Sequence, residues 1–102
     1  MANRLGLQQE LEELLGSRQV YFQPPESIRM QYPAIVYDLD IITSNYANDG
    51  TYQMYDRYSI MLITRNPDDE MIHKLGRLPK TRFERQFVAD NLHHYVYKCY
   101  HD

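Results

Sequence analysis

The alternation of apolar and polar residues predicts two helices and five strands. One apolar stripe at helical spacing predicts a helix over residues 4–15 that ends at Gly16, and its members are Leu7, Leu11, Leu14 and Leu15. A second helix is expected to begin with Asn66 as its cap and Pro67 at its first position. Its predicted buried stripe is Met71, Ile72 and Leu75.

Alternating apolar residues predict strands over residues 20–23, 34–41, 51–65, 81–89 and 92–100. Residues 42–50 carry Asn, Asp and Gly without an apolar period, which predicts a long loop. That loop and the first half of the following strand are expected to project beyond the body. The last two strands are expected to form a hairpin around Asp90 and Asn91, with Phe83, Phe87 and Ala89 on one face of the first.

This order of elements predicts an α+β fold in two layers. We expect an antiparallel, mostly meander sheet packed with two helices, with a protruding long β-hairpin loop. The 102 residues form a single domain, because the chain is too short for a second core. The isomer of the Tyr32–Pro33 bond is left open.

Charge, hydropathy and cysteine content limit the classes of function that fit this chain. Eleven basic residues against fourteen acidic ones give a net charge of −3, which disfavours a broad nucleic-acid-binding face. The basic set Arg77, Lys80, Arg82 and Arg85 is diluted by acids, so ion pairing or solvation is expected there. The chain has no apolar run of about 20 residues that could span a membrane. Its single Cys99 is expected to be a packed thiol.

The titratable residues predict no catalytic, cofactor-binding or metal site. His93 and His94 are adjacent on a strand and point to opposite faces, and neither His73 nor His101 completes a ligand spacing. Asp38 and Asp40 share a strand face beside a polar loop, where a solvated surface is the expected role. Gly-rich phosphate loops and a GxSxG nucleophile elbow are absent from the sequence. We therefore expect a non-enzymatic protein without a cofactor.

Ten tyrosines, most of them in the predicted strands, favour a docking role. Tyr carries a large apolar ring and a hydroxyl suited to a wet boundary, so it is enriched at protein interfaces. The open alternative is that these rings cover a thin core, since Tyr also favours strands. The candidate contacts with neighbouring subunits or a tube are Tyr37, Tyr46, Asn48, Asp49, Tyr52, Tyr55, Tyr95 and Tyr97.

The chain resembles the small tail completion proteins (tail terminators) of long-tailed phages and prophages of low-GC Gram-positive bacteria. Six segments spread along the chain carry the resemblance: VYFQPP (20–25), YPAIVYDLD (32–40), NDGTY (48–52), RYSIMLITRNPDD (57–69), Leu78-Pro79 and FVADNLHHYVYKCYH (87–101). The match is one of overall pattern, without a chemical signature.

The resemblance implies a structural virion protein at the head-proximal end of the tail. Such proteins form a ring, typically a hexamer, that ends tube polymerisation and presents a surface for docking to the head. The implied partners are copies of itself, the tail tube protein and the head–tail connector protein, with DNA only passing through the lumen and no membrane contact. Two alternatives remain: a head-closure or adaptor protein of the connector, and a small nucleic-acid-binding module or nuclease.

Overall fold

The described residues form two helices and five strands. A computed structural model describes residues 4–24, 29–46 and 52–101, with side chains at all of these positions except 41–46 and 52–55. The elements are α1 (Arg4–Leu15), β1 (Val20–Phe22), β2 (Ala34–Tyr46), β3 (Tyr52–Thr64), α2 (Met71–Gly76), β4 (Thr81–Ala89) and β5 (Leu92–His101). The predicted α+β class is confirmed: the strands form one open, mostly antiparallel sheet.

The strand order is β1-β2-β3-β5-β4, so β1 and β4 are the two edges. β1 pairs in parallel with β2, whereas the other neighbours are antiparallel. The predicted meander is wrong at two points, the parallel β1–β2 pair and the insertion of β5 between β3 and β4. The helix α2 carries the chain from β3 to the far edge, and the β4–β5 hairpin then returns one strand inward.

β2 is longer than its sequence pattern predicts. The strand continues through residues 42–46, where a loop was expected, and Tyr46 lies opposite Tyr52 of β3. Pairing with β3 gives these backbone groups a ladder partner, which outweighs the weak strand preference of Ser44 and Asn45. The rest of the predicted loop, residues 47–50, lies outside the described residues.

The second helix begins later than predicted. The Asn66 side chain accepts a 2.9 Å bond from the Asp68 amide, which forms a local turn instead of a helix cap. Regular helix begins at Met71, whose amide donates to the Asp69 carboxylate at 3.0 Å. That carboxylate also accepts a 2.9 Å bond from the buried hydroxyl of Thr64 at the end of β3. The strand end therefore fixes where α2 starts.

One apolar cluster joins both helices to alternate residues of the sheet. Leu7 and Leu11 from α1, with Met71 and Leu75 from α2, pack against central-strand side chains that include Ile35, Tyr37, Tyr58, Ile60, Leu62, Tyr95, Tyr97 and Cys99. The predicted packed thiol is confirmed, since Cys99 is 3% exposed and burial raises its pKa. The bond left open by the sequence, Tyr32–Pro33, is cis.

Candidate assembly surface

Three of the tyrosines predicted to face a partner are buried instead. Tyr37, Tyr95 and Tyr97 are 0%, 5% and 1% exposed. The Tyr97 hydroxyl donates to the Ile72 carbonyl at 2.6 Å, and the Tyr37 hydroxyl donates to the Gln8 side chain. Burial raises the pKa of Tyr97 to about 12, with a smaller contribution from Tyr95. The expectation that these rings lie on the surface is wrong, because the hydroxyls of Tyr37 and Tyr97 find partners in the helices and that of Tyr95 finds the Pro67 carbonyl, so the rings can enter the core.

The other five predicted contacts remain predictions. Tyr46 ends β2, and Tyr52 and Tyr55 lie in β3, but the side chains at these positions are not described. Asn48 and Asp49 lie outside the described residues. The surface must therefore be defined from other side chains.

The open edge at β4 carries the largest exposed apolar residues of the sheet. All seven residues from 82 to 88 are exposed. Among them Phe83 is 50%, Phe87 37% and Val88 61% exposed. Asp90 and Asn91 join β4 to β5 with φ angles of 52° and 62°, which is the positive-φ pair of a type I′ hairpin turn. A tight turn thus joins β4 to β5. Among the described strands, β4 is an edge strand with one side unpaired.

A bulge places the two β4 phenylalanines on opposite faces. Phe83 pairs with Tyr97 of β5, whereas Arg85 pairs with Val96, so Glu84 is the extra residue. Phe83 makes an edge contact with the Tyr97 ring on the helix side, with 5.5 Å between centroids. The prediction that Phe83 and Phe87 share one face is wrong, because simple alternation cannot anticipate the extra residue.

On the opposite face, Phe87 stacks on His94 at a centroid distance of 4.6 Å. The guanidinium of Arg85 lies 5.4 Å from the same Phe87 ring. Both faces of β4 therefore present an aromatic ring to solvent, one on each side of the sheet.

A groove of about 420 Å³ lies between α2 and β4, and we call it the α2–β4 groove. Its apolar walls are Ile72, Phe83 and Tyr97, and its polar rim includes His73, Arg77 and Gln86. The groove is open to solvent and lies directly beside the exposed β4 edge.

The segment that forms this groove is mainly basic. Lys74, Arg77, Lys80, Arg82 and Arg85 are exposed within residues 71–89, a span whose single acidic residue is Glu84. The sequence predicts ion pairing or solvation for the last four of these cations. Arg77 lines the groove, whereas Arg85 lies beside Phe87 on the opposite face of the sheet.

The Asp38 and Asp40 pair does not form a catalytic dyad. Asp40 accepts bonds from Arg57 at 2.9 Å and from Lys98 at 2.8 Å, while Asp38 is exposed. The Lys98 ammonium is the main cause of the lowered pKa of Asp40. Lys98 also lies 3.7 Å from Glu84, so this charge cluster links β2, β3, β5 and β4 across the sheet. Its role is to join strands.

A metal site is not assembled in the part of the chain that the structure describes. No group of three His, Cys, Asp or Glu side chains there could hold a metal ion. His94 faces Phe87, and the neighbouring His93 points to the other side of the sheet, opposite Val88 and Thr64. None of the described helices is long and apolar enough to cross a membrane.

Comparisons with protein families, with curated proteins and with solved structures give no match for this chain.

The residues that define this surface are not among those predicted from the sequence to contact a partner. They are Phe83, Phe87 and Val88, together with the α2–β4 groove. The available signal was three large apolar residues in a strand that also carries Arg82, Glu84 and Arg85, a mixture more typical of an edge strand than a central one.

Proposed function

We propose that this protein is a structural, non-catalytic subunit that forms a ring at the head-proximal end of a phage tail tube. The ring ends tube polymerisation and provides the docking surface for the head. The sequence resemblance supplies the tail context. The observation that carries the assembly role is the unpaired β4 edge, with Phe83, Phe87 and Val88 exposed along it.

The β4 edge favours association through its exposed side chains and unpaired backbone groups. The nine-residue strand is interrupted once, by the bulge at Glu84, and the backbone on either side of the bulge can pair with another strand. Burying the exposed parts of Phe83, Phe87 and Val88 contributes on the order of 1 kcal/mol for each side chain. Subunits that pair along this edge would gain both hydrogen bonds and apolar burial.

The long strands support a reach toward an axial partner. β2 and β3 have 13 residues each, which corresponds to about 43 Å of extended chain. The longest dimension is 51 Å against 25 and 23 Å for the others. The radius of gyration of 14.7 Å exceeds the roughly 13 Å of a compact domain of this length.

We propose that the distal parts of β2 and β3 form the arm that contacts the tail tube or the connector protein, beyond a two-layer body. Among the described strands, residues 43–46 pair with residues 52–55 and with no other strand. This end of the ladder leads to Tyr46, Asn48, Asp49, Tyr52 and Tyr55, the remaining candidate contacts. DNA would pass through the ring lumen, and the virion would be the site of action.

Electron microscopy of particles tests the proposal. In the phage or prophage that encodes the chain, deleting its gene should give overlong tubes, and the intact gene supplied in trans should restore normal length. The double variant Phe83→Ser/Phe87→Ser should fail to restore it. The variant Leu39→Ser is the matched control, because Leu39 is 39% exposed on β2, away from the β4 edge.

The same images separate the alternatives. Tails of normal length beside heads that have lost their DNA would overturn the terminator role in favour of a head-closure or adaptor protein. Normal particles after gene deletion would show that the virion does not need this protein and would overturn the proposal. A salt-dependent gel shift with DNA fragments would support the nucleic-acid-binding alternative.

A further inference from the structure

The outer side of α1 is an exposed surface above the β1 edge. Gln8 donates to the Val20 carbonyl at 3.0 Å and Arg4 reaches the Tyr37 hydroxyl at 3.2 Å, so this side of the helix faces β1 and β2. Glu10 lies on the other side, lining a cavity beside the α2–β4 connection. At about 100° per residue, Leu5 then points outward above β1 and Gln9 points away from the sheet.

This outer side combines an apolar residue with one acid. Leu5 is 67% exposed, the highest value among the large apolar residues that the structure describes. Gln9 and Glu13 are exposed one and two turns further along the helix.

The α2–β4 groove has the complementary features at the opposite edge of the sheet. Its walls Phe83 and Ile72 offer apolar contact, and Arg77 lies on its rim. Leu5 and Glu13 are about 12 Å apart along α1, which is a span that an apolar groove and a neighbouring cation can match. Leu5 would enter the groove while Glu13 meets Arg77.

Charge differs between the two edges of the sheet in the same sense. Residues 4–24, which supply α1 and β1, contain two basic and three acidic residues. Residues 71–89, which supply α2 and β4, contain five basic residues and one acidic residue. Opposite charge at opposite edges favours contacts between unlike edges and disfavours contacts between like edges.

Strand directions allow the same arrangement. β1 runs with β2, and each later neighbour in the sheet reverses direction, so β1 and β4 run in opposite directions. A second copy that continues the sheet in the same orientation places its β1 antiparallel to β4. Since α1 packs over β1 and α2 over β4, the incoming α1 arrives beside the α2–β4 groove.

We propose that copies of this chain join head to tail, with the outer side of α1 (Leu5, Gln9 and Glu13) seated in the α2–β4 groove of the next copy. This contact is heterologous, the type that a ring requires. The inference deepens the proposed function and rests on its ring assembly, since it assigns the lateral interface.

Mixed cysteine cross-linking of the purified full-length chain tests the contact. Gln9→Cys places a thiol on the outer side of α1, and His73→Cys places one in the groove; both native residues are exposed. Under mild oxidation at the highest soluble concentration, each variant alone should stay largely uncross-linked, and their mixture should give a dimer. The double variant Gln9→Cys/His73→Cys should give a ladder of oligomers.

Two controls define the background. The unmodified chain carries only the buried Cys99, which should not cross-link. Asp38→Cys places an exposed thiol on the opposite face of the sheet, and its mixture with His73→Cys should give no dimer. A dimer from Gln9→Cys alone, or no dimer from the mixture, would overturn the inference.

Charge exchange gives an independent readout. Arg77→Glu in the His73→Cys partner should lower the dimer yield roughly five-fold, as should Glu13→Arg in the Gln9→Cys partner. The two changes together should restore it, and an equally low yield in the combined pair would contradict the contact. Rings that form without this cross-link would overturn the inference while the tail-length experiment still supports the proposed function.

Discussion

The buried hydroxyl of Tyr97 provides a quantitative test of how α2 is held on the sheet. This residue is 1% exposed and donates a 2.6 Å hydrogen bond to the Ile72 carbonyl in α2. Tyr97→Phe removes the donor and leaves that carbonyl without this partner, which costs about 1–2 kcal/mol of the free energy of unfolding at pH 7.

The same hydroxyl gives the variant a distinct dependence on pH. The pKa of Tyr97 is raised by burial from 10.0 to about 12 in the folded state. A raised folded pKa means that its stabilisation is complete below pH 10 and is lost as the pH rises through 12. At pH 11 the wild-type protein should have lost about 1.4 kcal/mol through this group, a loss the Phe variant does not share. The stability gap should therefore shrink between pH 9 and pH 11.

Urea unfolding of both proteins at pH 7, 9 and 11 measures this gap. Comparing two proteins cancels the titration of other groups, including Tyr37 and Tyr58, whose pKa values burial also raises. Tyr100→Phe is the matched control for loss of a hydroxyl, since Tyr100 is 40% exposed, and it should lower the free energy of unfolding at pH 7 by less than Tyr97→Phe does. A Tyr97→Phe gap that stays constant from pH 7 to pH 11 would refute the reasoning.

Three further changes test the core, the β4–β5 turn and the segment Asn45–Asp49, from the end of β2 toward β3, which we call the tip. Leu75→Ala empties a fully buried α2 position and should cost about 2–5 kcal/mol in urea unfolding, whereas Lys74→Ala on the exposed side should change stability by less than about 0.5 kcal/mol. Asn91→Gly should preserve or raise the thermal midpoint and Asn91→Ala should lower it, because φ is 62° there. Deleting Asn45–Asp49 should leave a folded subunit by circular dichroism but abolish tail completion in particles.

Each of these three predictions can be contradicted by one result. Equal effects of the Leu75 and Lys74 changes would mean that α2 does not pack as described. A stabilising Asn91→Ala would contradict the positive-φ turn. Normal virions carrying the deletion would remove the tip from the proposed mechanism.

Local sequence determined most of the elements of this protein. The leucine stripe of α1 and the Asp90-Asn91 turn follow from spacing and residue type, which act over a few residues, and the structure has both where the sequence predicted them. The strand faces of β3 and β5 were predictable for the same reason, since Ile60 and Tyr97 belong to regular alternations.

Tertiary structure decided which of those faces are buried and which edge stays open. The sequence cannot show that β5 inserts between β3 and β4, because strand order depends on contacts between distant segments. That insertion buries Tyr95 and Tyr97 and leaves Phe83 and Phe87 at the edge. A tyrosine's polar tip suits either a wet interface or a core in which a backbone carbonyl accepts its proton. The folded chain provides such an acceptor for Tyr97 at Ile72, and this explains why that ring is buried while Phe83 and Phe87 of β4 are exposed.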